Sequence, residues 1–381
     1  MAVLASIRAE MVEIEQPQVA SAGWRALASQ GYTEDELTEA LVPVDLHGIK
    51  EEAESEMLHD EEIEERQASA GQAQLSVREI VKEPSHVQLG GAAIWCMTEV
   101  PGGLVAAGLE DGRVGLFSVE DRSCLFVFDG HNGGLLTLCV SDGILLAGWG
   151  DGKLIGWDLT TMSVVLDFVA HDDRIGILLA MKDGTVVSGS ADDRVKVWRL
   201  RDVGSMEPSM SCVATLAAHT NSVLCLTMHK ATLLSGGCDR VICAWDAAQG
   251  WTLTCALEGH TDNVMAIASV AGSNNFVSAD LGKLRIWDST LWSCVRSLNC
   301  QGMDRLNVLS TFGGLLAVAD DRTIQLWDTT VWTVVSSRPA LEEEQLEGQN
   351  AVCSILERKG GASDETELLS GHLDGSIALY S

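Results

Sequence analysis

Apolar and polar residues alternate along most of this chain in short runs, which is the period of a strand with one buried and one wetter face. Val195 and Val197 flank Lys196, and Ile324 and Leu326 flank Gln325. Each run closes on an aromatic side chain: Phe117, Trp157, Trp198, Trp245, Trp287, Trp327 and Tyr380. These stand 40, 41, 47, 42, 40 and 53 residues apart, so one unit recurs seven times. Six residues before the aromatic is an aspartate in all units but one: Asp111, Asp151, Asp192, Asp239, Asp321 and Asp374. The fifth unit carries Leu281 there, with Asp280 one place early. The pattern predicts a tight turn leading into a strand in every unit.

Trp-Asp occurs at Trp157-Asp158, Trp245-Asp246, Trp287-Asp288 and Trp327-Asp328. Upstream of the closing tryptophan lies Gly130-His131 or Gly259-His260, softened to Ala170-His171 and Ala218-His219 in two units. Over roughly residues 76 to 381 these spaced motifs make the chain resemble the WD-repeat family. The resemblance implies an all-β fold, a seven-bladed β-propeller in which each unit is a radial four-stranded antiparallel sheet. It also implies a structural role for two sets of polar residues: His171, Ser188, Asp192 and Trp198, and His219, Ser235, Asp239 and Trp245. Linked buried polar groups are favourable when each finds a partner. Units one, six and seven lack the histidine, with Gly302-Met303 and Gln349 in its place in the last two, so these blades are expected to be pinned less tightly.

Only Ser381 follows Tyr380, so the last unit needs its outer strand from elsewhere. Residues 79 to 88 are the expected donor, through Glu79-Ile80-Val81 and His86-Val87-Gln88, and Pro84 among them suits an edge strand.

Residues 1 to 75 differ in kind and form a separate acidic extension. They hold 17 acidic and 4 basic side chains, out of a formal net charge of −30 for the whole chain. Thr33 to Glu36 reads as a capping box opening a helix that Pro43 ends, and Glu51 to Arg66 as a second, marginal helix. The extension is expected to be either a mobile, partly helical or disordered arm or a segment docked on the ring. The charge argues against direct nucleic-acid binding, because phosphates are repelled, and favours protein partners with basic surfaces.

The eleven cysteines include no CxxC pair and read as reduced core residues. No apolar run approaches the roughly 20 residues of a membrane span, and no secretory leader is apparent. A chain in the cytoplasm or nucleus is expected, without membrane contact, metal or other cofactor. Gly148-Trp149-Gly150-Asp151-Gly152-Lys153 fails the phosphate-loop spacing, since Ala147 and Leu154 fall where glycine and a hydroxyl residue are required.

Trp149 occupies a slot held by Leu109, Ser190, Gly237, Ala319 or His372 in other units. Placed in a rim turn, it is a candidate binding anchor if exposed, the alternative being that it packs on a neighbouring loop. Trp292 and Trp332, each five residues after a closing tryptophan, read as packing residues. The loops after the histidine slots supply further partner-binding candidates: Asn132, Asp172, Asp173, Arg174, Asn221, Asp262, Asn263, Asp304 and Arg305. With no credible catalytic set, the expected function is a non-catalytic protein-interaction scaffold, not an enzyme, monomeric within a larger complex. Two narrower alternatives stand beside it. One is a substrate receptor of a cullin-type ubiquitin ligase, motivated by Trp198-Arg199-Leu200-Arg201, in which Arg199 departs from the Trp-Asp-x-Arg pattern and no F-box is visible. The other is an acidic escort for basic proteins.

Overall fold

The computed structural model describes residues 85–88 and 93–380, except 119–120, 122, 132–133, 204–207, 301–302, 304–305, 307, 313, 321–322, 340–351, 360–365 and 373–375. The two expected helices, the boundary at residue 75, Glu79 to Val81 and Pro84, and Gln349 lie outside the described residues. Within them the chain is an all-β propeller. Six blades each take four consecutive strands in order. The first runs through Ile94–Val100, Leu104–Leu109, Val114–Ser118 and Ser123–Phe128. The third runs through Ile175–Ala180, Thr185–Ser190, Val195–Arg201 and Ser209–Leu216. One further sheet joins strands distant in sequence, in the order Ser85–Gln88, Ser376–Tyr380, Thr366–His372, Val352–Lys359. There Val87 lies opposite Ile377 and His86 opposite Ala378.

The aspartate of each Trp-Asp pair explains why the third strand stops where it does. Asp158 Oδ1 accepts hydrogen bonds from the amides of Thr160 and Thr161, and Asp246, Asp288 and Asp328 repeat this with the amides two and three residues on. A short side chain that captures the following amides closes a turn and sends the chain back as the outer strand. The turn ends on a bulky residue at positive φ: Met162 at 54°, Trp251 at 66°, Trp292 at 50° and Trp332 at 61°. Such backbone is costly for a large side chain and persists only when packing compensates. Trp332 is buried and Trp292 packs at 6.4 Å from the Phe276 ring.

The cores lie between blades. One joins Val100, Ala106 and Phe128 of the first blade to Leu145, Trp149 and Trp157 of the second, and another joins Ile94, Met97 and Val105 to Leu369 and Ile377 of the end-joining sheet. Each blade can therefore bury its apolar surface only against its neighbours, as repeat architectures require. Second strands such as Ile144–Trp149 and Thr185–Ser190 are buried along their whole length, whereas outer strands are largely exposed. Hydroxyls stitch adjacent innermost strands. The Leu178 amide donates to Thr137 Oγ1 (2.9 Å), the Met97 amide to Ser354 Oγ (3.1 Å), and Thr311 Oγ1 to the Ser269 carbonyl (3.0 Å). Buried His229 adds a bridge from the fourth blade to the fifth, sharing hydrogen bonds with Ser269 (2.9 Å) and Ser289 (3.0 Å).

Candidate functional site

The loops entering the innermost strands and the turns between second and third strands share one face of the propeller, and polar clusters fasten them together. In the third blade Trp198 Nε1–H donates to Ser188 Oγ (2.8 Å), and the Ser188 hydroxyl meets His171 Nε2 (2.6 Å). His171 Nδ1 meets Asp192 Oδ2 (2.8 Å), which also accepts the Asp172 amide (3.2 Å). The fourth blade repeats this through Trp245, Ser235, His219, Asp239 and the Thr220 amide, at 2.9, 2.7, 2.8 and 3.1 Å in turn. Burial pushes the Asp239 carboxyl up, but the hydrogen bonds from His219 and from the Thr220 and Val241 amides outweigh it, leaving it below the usual carboxylate range. Asp192 is lowered in the same way against its own burial. Burial, only partly offset by Asp192, keeps the His171 imidazole below its usual value and thus neutral, so its Nδ1–H donates to the carboxylate and Nε2 accepts from serine.

Ser–His–Asp connectivity is also that of hydrolases. Here the serine is inaccessible. Ser188 and Ser235 are fully buried, and each already accepts an indole N–H, so these sets have neither a route for a substrate nor a free nucleophile. Their chemistry is to hold loops. The turn comes so close to the loop that a Cβ on Gly152, at φ +81°, would lie 2.2 Å from the His171 carbonyl oxygen.

Sequence reading found two such sets, and the structure contains a third. His260 Nδ1 meets Asp280 (3.0 Å), His260 Nε2 meets Ser278 Oγ (2.6 Å), and Trp287 Nε1–H donates to Ser278 Oγ (2.7 Å). Asp280 is thus the working aspartate and not a residue lost from register. The cause is a turn one residue shorter: the Asp280 amide bonds the Lys283 carbonyl three residues on, whereas the Ser190 amide bonds Arg194 four residues on. The sixth blade has the short turn too, from Asp320 to Thr323, so Asp320 and not Asp321 stands where Asp280 does. The second blade is partial, with His131 on Asp151 at 2.6 Å but Ala147 where the serine belongs. In the end-joining sheet Ser370 Oγ meets buried His372 Nε2 (2.7 Å), a histidine supplied from the same strand in place of the loop.

Trp149 is the largest correction. It is the last residue of a second strand, 0% exposed, with Trp157 at 5.8 Å and His131 at 6.1 Å between ring centroids, and its Nε1 has no hydrogen-bond partner. It cannot anchor a partner. Among the described residues the exposed tryptophan is Trp95, 42% exposed, which sequence reading passed over. It starts an innermost strand at a bulge: Ile94 pairs with Leu109 and Cys96 with Gly108, so Trp95 is the extra residue. Leu136, Gly176 and Leu224 occupy the same bulge in the next three blades. Bulges re-aim side chains, here away from the inter-blade cores.

Of the loop candidates, Asp172, Asp173, Arg174 and Asn221 are exposed, and Asp262 and Asn263 are half-buried. Asn132, Asp304 and Arg305 lie outside the described residues. Asp173, Asn221 and Asp262 each accept the next residue's amide, at 2.7, 2.8 and 2.7 Å, which fixes their loops locally. The third to fifth blades bring Arg174, Asp193, Asp239 and Asp262 around the half-buried Cys238 thiol, which burial pushes up, Arg174 opposes, and the aspartates raise further. The face is therefore mixed in charge, with an apolar feature at Trp95. Among the described residues no three His, Cys, Asp or Glu side chains converge as metal ligands, and no helix is long and apolar enough to cross a membrane.

Comparison with known families matches the "WD domain, G-beta repeat" model to residues 162–199, 210–246 and 251–288. The chain is similar to the U3 small nucleolar RNA-associated protein 15 homolog of Gallus gallus, with 27% identity over 54% of this chain and 40% of that protein. It is also similar to the WD repeat and SOCS box-containing protein 1 of Danio rerio, with 33% identity over 28% of this chain and 25% of that one. Mitochondrial division protein 1 of Saccharomyces cerevisiae is 29% identical over 30% of this chain and 17% of that protein. The chain spans less than half the length of these relatives.

Proposed function

From the premise that this chain belongs to the WD-repeat proteins, we propose that it is a non-catalytic scaffold, a closed ring of seven blades that presents a partner protein on its loop face. Fold alone does not fix function, so the reading rests on the face itself. The carrying observation is an exposed Trp95 at the start of the first blade's innermost strand, on a propeller whose third and fourth blades have their entry loops held by the His–Asp sets and local amide bonds. An aromatic anchor and loops that are already ordered meet a partner with little entropy left to lose. The formal charge of −30, with 17 carboxylates in residues 1 to 75, selects a partner with a basic, partly apolar surface. An acidic escort of basic proteins is the narrow form of this reading.

A place in a ribonucleoprotein assembly, which the name of the Gallus gallus relative brings in, fits this charge only through protein contacts. Such an assembly is consistent with a nuclear or cytoplasmic chain. The ligase-receptor reading gains from the SOCS-box relative, but Arg199, in the slot of the Trp-Asp aspartate, is turned to Thr185 Oγ1 (3.3 Å) and so is engaged within its own blade. Co-purification of a ligase adaptor separates the two.

The test is capture of partners by the full chain and by the Trp95→Ala and Arg174→Glu variants, with quantitative mass spectrometry. Partners that bind this face are retained at least tenfold less by Trp95→Ala, with the melting temperature unchanged. A partner set indifferent to both variants places binding elsewhere and overturns the reading.

A further inference from the structure

Among the described residues each outer strand leaves one backbone edge unpaired, and proteins usually blunt such edges with charge or polar residues. The propeller supplies an internal comparison, because the same position recurs. In the second blade Asp167 interrupts Ser163–Val169 and pairs with Lys153 (2.8 Å). In the fifth, exposed Arg296 interrupts Ser293–Asn299. The third carries Ser211 and Thr215, and the fourth Thr252 and Thr254. The first blade keeps only Ser123, at the start of its strand. Along Ser123–Phe128, four consecutive exposed residues, Cys124, Leu125, Phe126 and Val127, are apolar, with Leu125 at 52%, Phe126 at 39% and Val127 at 40% exposure.

This strand is also rigidly backed. Phe126 meets Phe128 edge-on at 4.8 Å, and Phe128 packs at 5.3 Å against Trp157 of the next blade. Acidic groups stand at both ends, with exposed Asp121 before the strand and exposed Asp129 after it. Asp121 is oriented by the Ser118 hydroxyl (2.9 Å), and the nearby Arg113 is engaged by Asp111 (2.6 Å). Two copies of a chain with net charge −30 repel one another, which disfavours self-pairing at this edge.

We propose that the outer edge of the first blade, Ser123–Phe128, is a docking site for an extended segment of a partner protein, with alternating apolar residues at its centre and Lys or Arg at its ends. The segment adds a fifth antiparallel strand: backbone groups supply the pairing, the apolar stretch Cys124 to Val127 takes alternate side chains, and Asp121 and Asp129 take the terminal cations. The site is distinct from the loop face and does not depend on Trp95.

The experiment uses the full chain and synthetic peptides with the core Val-Thr-Val-Thr-Val, ending in Lys or in Glu at both sides, and a Lys-ended version methylated at alternate backbone nitrogens. Binding is read by fluorescence anisotropy and by hydrogen exchange of the amides of residues 123 to 128. The Lys-ended peptide is expected to bind at least tenfold more tightly than the Glu-ended one and to slow exchange in this strand, while the methylated peptide does neither. Leu125→Thr with Val127→Thr, at exposed positions, is expected to weaken binding tenfold with the melting temperature unchanged. If no peptide slows exchange at 123 to 128, if methylation is without effect, or if the strand is protected by concentration-dependent self-association, the proposal fails. Trp95→Ala must leave this binding intact, so the outcome is independent of the loop-face reading.

Discussion

His260 reaches Asp280 at 3.0 Å although Asp280 stands one place out of step with the aspartates of the third and fourth blades. The same contact is made across a turn one residue shorter. Asp280→Ala and Asp239→Ala are therefore expected to destabilise by similar amounts, roughly 1 to 3 kcal/mol each, because each leaves a buried imidazole N–H unpaired. Urea denaturation of the two variants measures this, and an Asp280→Ala variant as stable as the parent would remove the fifth blade from the set.

Trp149 predicts a contrast between two substitutions. Trp149→Ala empties a site between the first and second blades and is expected to cost about 3 to 5 kcal/mol. Trp149→Phe keeps most of the ring and eliminates an indole N–H that has no partner, so its cost is expected to stay below roughly 1.5 kcal/mol. Melting curves separate these outcomes, and equal losses would mean that the indole nitrogen is satisfied.

Acid is expected to loosen the propeller in two stages with the same sign. The folded His171, and likewise buried His229, takes a proton less readily than its unfolded form at about 6.5, so the stability it confers above that pH is lost as pH falls below it. Asp192 and Asp239, held below the usual 3.8, confer stability present above that value and lost as pH falls through their lower folded values. The urea midpoint should thus drop between pH 7 and pH 5, and drop less in His171→Gln. A midpoint constant over that interval would show that His171 is not held neutral.

Thiol chemistry should divide the cysteines by position. Cys124, Cys212 and Cys294 are exposed on outer strands, whereas burial pushes Cys139, Cys243 and Cys300 up to about 12. Iodoacetamide at pH 8 is expected to alkylate the first three in the folded protein and to spare the others until urea is added, as peptide mass spectrometry will record. Rapid labelling of Cys243 in the native state would contradict its place between the fourth and neighbouring blades.

The repeat was legible because closing aromatics and turn aspartates recur together at the spacing of propeller blades, and the strand pairing of Ser85–Gln88 with Ser376–Tyr380 falls within the expected donor segment. Trp149 was misread because second strands are covered on both faces, so alternation carries no inside or outside there, and the strand runs one residue beyond the expected turn. Trp95 was invisible for the opposite reason: a bulge breaks the period of two at the residue that matters. Asp280 and Asp320 were displaced by a shortened turn, which a fixed offset from the tryptophan cannot follow. His372 escaped because it substitutes from within its strand for a histidine sought in a loop.

The joint between Ser85–Gln88 and Ser376–Tyr380 also sets a timetable for synthesis. Roughly 290 residues separate the two strands, and at about 5 to 20 residues per second a ribosome needs on the order of 15 to 60 s to make them. Throughout that interval Ile94 and Met97 lack Leu369 and Ile377, the side chains that cover them in the finished ring. The nascent chain is therefore an open arc whose first blade keeps an apolar edge uncovered until the last blade has been made.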